Sequence, residues 1–297
     1  MPETVDHGHI VAKKKGARLS DFQFADAPAA GSLLASKGFK HFDLATFDPG
    51  AKPFSSGSKA ADLMAVDSLA SDIDRLQDLL YADRRFKLLV VLQGTDTSGK
   101  DGTIRGVFSK TSALGVKTAA WKAPSEEERA HDFLWRIHQK VPAAGEIMIF
   151  NRSHYEDVLV PPVKGWITSD ETTRRYAQIN DFERLLTETG TIVLKFLLHI
   201  SKDEQRVRLQ DRLDDPTKHW KFAVGDLEER TRWDAYQSAY GAAVGATGSS
   251  WAPWTIVPAD SKTHRNLMIA TVVKETLQSL KLVYPPGDPA LNRIKVT

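Results

Sequence analysis

The chain has 297 residues, 41% of them apolar and 26% charged, enough to bury one sizeable core. Its 40 basic and 38 acidic residues nearly cancel, so bulk charge does not call for a polyanionic partner, and only local clustering can. No cysteine is present, which excludes disulfides, thiolate metal sites and a cysteine nucleophile. No stretch approaches the roughly 20 apolar residues that cross a bilayer, and the N-terminal residues carry no apolar leader, so a cytoplasmic protein is expected.

Residues 1–60 read as a tail and an extended arm. The tail, 1–20, is polar and carries Lys13, Lys14 and Lys15; the arm scatters Phe22, Phe24, Phe39, Phe42 and Phe47 among Gly, Pro and Ser and is expected to lie on the domain. A helix is predicted over 62–82, where Val66, Leu69, Ile73, Leu76 and Leu80 share one stripe. Short continuous apolar runs at 88–92, 116–121, 147–150, 192–198 and 255–257 predict strands buried on both faces, hence a parallel sheet. Helices are predicted between them at 99–112, 125–139, 170–189 and 263–281. The third has Ser169 or Asp170 to cap it, Ile179, Phe182, Leu185 and Leu186 on one face, and Gly190 to stop it. The alternation implies an α/β fold, a three-layer α/β/α sandwich on a five-stranded parallel sheet, over 61–285. A helical insertion follows the fourth strand. Ser201 and Glu204 form a capping box for 202–213, Asp214-Asp215-Pro216 breaks that helix, and a second runs from 226 to about 243. Residues 286–297 read as a C-terminal tail.

The predicted strand K-L-L-V-V-L-Q runs directly into G-T-D-T-S-G-K, residues 94–100, and then into a helix. That is the phosphate-binding loop pattern in its confirming strand–loop–helix context. Gly94, Thr97, Ser98, Gly99, Gly102 and Thr103 are candidate phosphate contacts, through backbone N–H groups and the helix N-terminus. Lys100 is the mobile charge that bridges phosphates. Asp101 stands where such loops usually place a metal-binding hydroxyl; it is either a helix-start stabiliser or a ligand contact. Asp96 puts a carboxylate inside the loop. It would repel phosphate unless a cation lay between them, so Asp96 is a candidate Mg²⁺ ligand or acceptor-positioning group.

A second signal stands at the end of the third strand, in F-N-R-S-H-Y-E-D. Ligands of doubly wound folds gather at carboxyl ends of strands. Arg152 suits bidentate phosphate contact, Asn151 and Glu156 are candidate nucleotide contacts, Asp157 is a candidate metal ligand, and His154 and Tyr155 read as structural. The third signal is the cluster Arg206, Arg208, Arg212, Lys218 and Lys221 in the insertion. It suits a lid that closes cations over a transferring phosphoryl group. There is no basic stripe with interleaved aromatics, so nucleic acid is not an expected partner.

Three segments together closely resemble the second family of polyphosphate kinases: L-L-V-V-L-Q-G-T-D-T-S-G-K-D-G-T-I, F-N-R-S-H-Y-E-D-V-L and D-R-L-D-D-P-T-K-H-W-K-F. A-H-D-F-L-W-R-I-H is similar as well. The resemblance spans roughly 35–285. It implies a P-loop kinase fold with a helical lid, Mg²⁺ or Mn²⁺ as cofactor, assembly as dimers or tetramers, and phosphoryl transfer between inorganic polyphosphate and AMP, ADP or ATP. It maps the family's loop Asp, loop Lys and strand-end Arg onto Asp96, Lys100 and Arg152, and its lid bases onto Arg208, Arg212, Lys218 and Lys221. Many members carry Asp where this chain has Asn151. The N-R-S-H-Y-E-D form resembles the branch acting on both nucleoside mono- and diphosphates. An ATP-dependent nucleotide kinase and a non-catalytic phosphate-binding regulator are the rival readings.

Overall fold

A computed structural model describes residues 18–26 and 42–296. Lys13, Lys14, Lys15 and Phe39 lie outside the described residues. In chain order the elements are β1 (Gln23–Phe24), α1 (Lys59–Asp83), β2 (Lys87–Gln93), α2 (Lys100–Val107), β3 (Val116–Ala120), α3 (Glu126–Ala130), α4 (Trp135–His138), β4 (Ile147–Asn151), α5 (Glu156–Lys164), α6 (Ser169–Glu188), β5 (Thr191–His199), α7 (Lys202–Asp214), α8 (Gly225–Thr231), α9 (Trp233–Thr247), β6 (Trp254–Pro258) and α10 (Lys262–Ser279).

The five predicted strands form, and all of them are parallel. A sixth joins them: β1 runs antiparallel along β6, so the sheet is mixed, in the order β1-β6-β5-β2-β4-β3. The expectation of a five-stranded parallel sheet is corrected on this point. A strand of two residues has no periodicity to read. Its gain is to cover an edge of β6 that would otherwise present unpaired backbone.

β2 lies at the centre, and its Leu88, Leu89, Val90, Val91 and Leu92 are wholly buried. Leu89 and Val91 join a core with Phe150, Tyr176, Phe182 and Trp254 beneath α5, α6 and α9. Leu88, Val90 and Leu92 join the opposite core with Ile73, Leu76, Leu80, Met268 and Val273 of α1 and α10. A strand buried on both faces reads as an unbroken apolar run, as this one does. Leu92 is in register with Asn151 on one side and Phe196 on the other, which brings the loops after β2 and β4 side by side.

Six local expectations change. The helix predicted over 99–112 ends at Val107. Ser201 does cap the helix after β5, its hydroxyl accepting from the Glu204 N–H at 3.0 Å, but its own N–H donates to Asp260 Oδ1 at 2.8 Å, so only half of the predicted capping box forms. The span 125–139 is two short helices, because the chain becomes extended at His131, with ψ 175. The second insertion helix breaks at Arg232 into α8 and α9. The N-cap of α6 is Thr168, whose hydroxyl accepts from the Glu171 N–H at 3.2 Å. Helix α5 is new: Pro161 and Pro162 inside it argue against a helix. The carbonyl that Pro161 cannot bond is that of Asp157, and the Arg175 guanidinium donates to it at 2.9 Å.

The described residues of the arm do lie on the domain. The Pro49 carbonyl accepts from the Asp260 N–H at 3.1 Å, the Phe54 N–H donates to His264 Nε2 at 3.1 Å, and the Phe24, Phe42 and Phe47 rings pack together. Among the described residues no helix is long and apolar enough to cross a membrane.

Candidate active site

The loop between β2 and α2 needs backbone conformations that few residues tolerate. Gly94 has φ 150 and Gly99 φ 103, and a Cβ on Gly99 would stand 1.7 Å from Arg265 Nη1. Thr97 is held at φ 66 without the freedom of glycine. Two buried guanidiniums lie beneath the loop and take its outward carbonyls. Arg208 donates to the carbonyls of Thr97 (2.9 Å) and Ser98 (3.2 Å), and Arg265 to that of Ser98 (3.2 Å). With the Thr97 and Ser98 carbonyls held from beneath, amides of the loop can turn to a phosphate, apart from that of Ser98, which donates to the Thr95 carbonyl at 3.1 Å.

Lys100 folds back over the loop, its Nζ donating to the carbonyls of Gly94 (2.7 Å) and Thr95 (3.2 Å) and to Ser98 Oγ (3.4 Å). Burial, followed by the nearby Arg152 charge, pushes its pKa down to about 8 against the pull of Asp96, Glu156 and Asp101. Thr103 is turned inward, donating to the Gly99 carbonyl at 3.2 Å. Asp101 accepts from Asn151 Nδ2 at 2.6 Å and faces Lys221 at 3.4 Å, so it ties the start of α2 to the end of β4 and to the insertion. Burial pushes the Asp101 carboxyl up, but the bond from Asn151 and the Lys221 charge hold it below its ordinary range.

Arg152 follows β4 directly. Its Nη2 meets Asp96 Oδ1 at 2.7 Å and its Nη1 faces Glu156 Oε2 at 3.6 Å. Burial raises the Glu156 pKa, opposed by Arg152 and Lys100.

Two cavities meet at this pair. One is a groove of about 630 Å³ over the loop from Thr97 to Gly102, whose cations include Lys100, Arg152, Arg212, Lys218, Lys221 and Lys262. The other, of about 220 Å³, is walled by Leu159, Trp233, Tyr236 and Tyr240 and has Glu156 at its edge. Asp96 and Arg152 line both.

The predicted residues do not all assemble. Arg208 borders the groove, but its nitrogens are committed to Glu204 and to the carbonyls of Thr97, Ser98, Ala259 and Asp260. It therefore anchors the root of the insertion rather than presenting a free charge. Asp157 lines neither cavity. It opens onto a separate one of about 650 Å³, with its Oδ2 3.5 Å from Arg136, so the structure does not bring it together with Asp96. His154 and Tyr155 are fully buried.

Sequence reading missed Arg265, which lies in the last predicted helix with nothing local to mark it. It also missed Tyr236 and Tyr240, which read as ordinary helix residues, and Asp226, which lines the groove at the start of α8. Burial and the Asp96 carboxylate both raise the Asp226 pKa. Among the described residues no three or more His, Asp or Glu side chains cluster to form a metal cage. Asp96 and Asp226, two of the carboxylates lining this groove, do fit a hard cation such as Mg²⁺, which takes oxygen ligands and keeps places for phosphate and water.

The family model of polyphosphate kinase 2 matches residues 57–283. The chain belongs to this family. An AMP/ADP-polyphosphate phosphotransferase of Meiothermus ruber is 49% identical over 255 residues, covering 86% of this chain and 96% of that protein. An ADP-polyphosphate phosphotransferase of Rhodopseudomonas palustris is 42% identical over 237 residues, 75% of this chain and 82% of the relative. Among solved structures, polyphosphate kinase 2 from Arthrobacter aurescens TC1 superposes with a TM-score of 0.82 at 43% identity, covering 90% of this chain and 96% of that one. The polyphosphate kinase 2 match takes in the loop, the strand-end turn and the helical insertion.

Proposed function

We propose that the protein is a polyphosphate-dependent nucleotide kinase that phosphorylates AMP to ADP and ADP to ATP, reversibly. The observation that carries this reading is the junction of a cation-lined groove and an aromatic-walled cavity at Asp96 and Arg152. A groove with a row of Lys and Arg suits an extended chain of phosphates. A cavity walled by Trp233, Tyr236 and Tyr240 suits a nucleoside, whose base offers flat faces and whose phosphates would point back to the junction.

In the forward step an oxygen of the nucleotide's terminal phosphate attacks the end phosphorus of polyphosphate. The bond from that phosphorus to its bridging oxygen breaks, and the shortened chain leaves with the electron pair. The attacking oxygen is already ionised, so no strong general base is required. Lys100 and Arg152 stabilise charge spread over the transferring group, and Arg212, Lys218 and Lys221 hold the donor chain. Asp96, with Asp226 across the groove, would hold Mg²⁺ or Mn²⁺, which supplies charge neutralisation between carboxylate and phosphates. In the resting state Arg152 pairs with Asp96 at 2.7 Å, so the substrates must take over both partners.

The test is incubation of the purified protein with AMP, long-chain polyphosphate and Mg²⁺, with ATP offered in parallel as donor. ADP and then ATP should accumulate from polyphosphate. Product from ATP alone would favour an ATP-dependent kinase, and binding with no turnover would favour a regulator.

A further inference from the structure

Behind the strand-end turn lies a polar cluster that touches neither cavity. Glu183 of α6, Lys195 of β5, and His154 and Tyr155 of the turn are each at most 1% exposed. Lys195 Nζ donates to Glu183 Oε2 at 2.6 Å, to the Tyr155 hydroxyl at 2.9 Å and to the Thr247 carbonyl at 2.7 Å. The Tyr155 hydroxyl in turn donates to Glu183 Oε1 at 2.8 Å, and His154 Nε2 lies 3.3 Å from the same oxygen. The Trp254 ring closes the far side, 5.1 Å from Nζ, and its Nε1 donates to Thr247 Oγ1 at 2.9 Å.

A buried ion pair is a poor source of stability, because the cost of stripping water from both charges offsets most of their attraction. What such a pair can supply is a single geometry. Here that geometry falls on the turn. His154 and Tyr155 are the inward residues of a segment whose flanking residues, Arg152 and Glu156, face the site. Arg152 stands at φ 65, a conformation that residues with side chains rarely adopt, and only the Leu92 carbonyl holds its own N–H, at 3.0 Å. The Asp96 contact above it must give way when substrate binds. From below, Ser153 Oγ accepts the Tyr155 N–H at 3.1 Å, and the Tyr155 side chain is fixed by Glu183 and Lys195.

We infer that Tyr155, Glu183 and Lys195 are positioning residues for phosphoryl transfer, a clamp that holds the turn so that the Arg152 guanidinium stands at the junction of the two cavities. The inference rests on the reading of Arg152 as a group that stabilises the transferring phosphoryl.

Tyr155→Phe keeps the ring, which packs against Trp254 at 4.7 Å, and removes only the hydroxyl. Glu183→Gln with Lys195→Met removes both charges together and leaves neither unpaired. The experiment measures kcat and KM for both substrates in Tyr155→Phe, Arg152→Ala, their combination and the charge-free pair variant, with thermal unfolding beside them. Tyr155→Phe is expected to lower kcat by roughly tenfold while KM for the nucleotide stays within about twofold. Residues acting through one another are non-additive, so Arg152→Ala should cost at least about threefold less in the Tyr155→Phe background than in the wild type. The folded pair variant should show the same fall in kcat. If the Tyr155 and Arg152 losses simply multiply, or if Tyr155→Phe turns over at the wild-type rate, the clamp is overturned. Arg152→Ala at full activity would remove the assignment of Arg152 and the clamp with it. Loss at Arg152 with independent effects removes the clamp alone. Tyr155→Phe decides the matter if the pair variant does not fold.

Discussion

Lys100 carries its charge into surroundings that disfavour it. Its pKa falls from 10.5 to about 8, first through burial and then through Arg152, and its three partners are loop oxygens that a phosphate would displace. Two consequences follow from one shift. As pH rises through about 8 the free enzyme loses the Lys100 charge, so kcat/KM for polyphosphate should decline there. Bound phosphates favour the charged form, so kcat should hold to higher pH. A pH series of both parameters checks this, and parallel profiles with no limb near 8 would refute it. For stability the sign is opposite to that of a paired lysine. The folded pKa lies below the unfolded value, so between about 8 and 10.5 the unfolded chain binds more protons, and this group's contribution to stability rises with pH across that window. Gly99 offers a second test at this scale. Its φ of 103 strains any residue with a side chain, and a methyl group there would push aside the Arg265 guanidinium that braces Ser98, so Gly99→Ala should lower turnover sharply, measured with saturating polyphosphate.

At the scale of elements, what the sequence discloses depends on whether the signal is local. β2 was legible because burial on both faces writes an unbroken run, and the loop after it because its glycines and lysine sit at fixed spacing. Arg152 was legible by its place at a strand end. Helix α5 was hidden by Pro161 and Pro162, since the group that rescues it, Arg175, is on α6 and is joined only by folding. Arg265 was hidden in the same way: it braces a loop far away in sequence, at Ser98. Arg208 was legible as a base but not in its role, because its carbonyl partners come from two loops. Arg175→Ala leaves the Asp157 carbonyl without its donor and Glu171 without its partner at 2.7 Å, so urea unfolding should show a loss of about 1–3 kcal/mol. An unchanged midpoint would mean that water satisfies the carbonyl.

At the scale of the whole molecule, parallel pairing sets the carboxyl ends of β2 and β4 level, and the insertion between β5 and β6 places α7, α8 and α9 over that end. One side of the site is thereby lined with Lys and Arg and the other with aromatic rings, although the chain as a whole is nearly neutral at +2. The two substrates should then respond differently to salt. Apart from the buried Lys100, the groove acts through exposed or half-buried charges: Lys218 is paired with Asp215 and half exposed, and Lys221 lies over the Trp220 ring. Such charges are screened as the Debye length shrinks from roughly 10 Å at 0.1 M to about 3 Å at 1 M. The aromatic cavity acts through apolar contact, which salt does not weaken. KM for long-chain polyphosphate should therefore rise steeply with added KCl, while KM for the nucleotide, whose phosphates meet cations only at the junction, should rise much less. Lys218→Ala with Lys221→Ala should reduce the slope for polyphosphate alone, as each cation removed takes away one screened contact. Equal slopes for both substrates would place them in one cavity and undo the division of the site at Asp96 and Arg152.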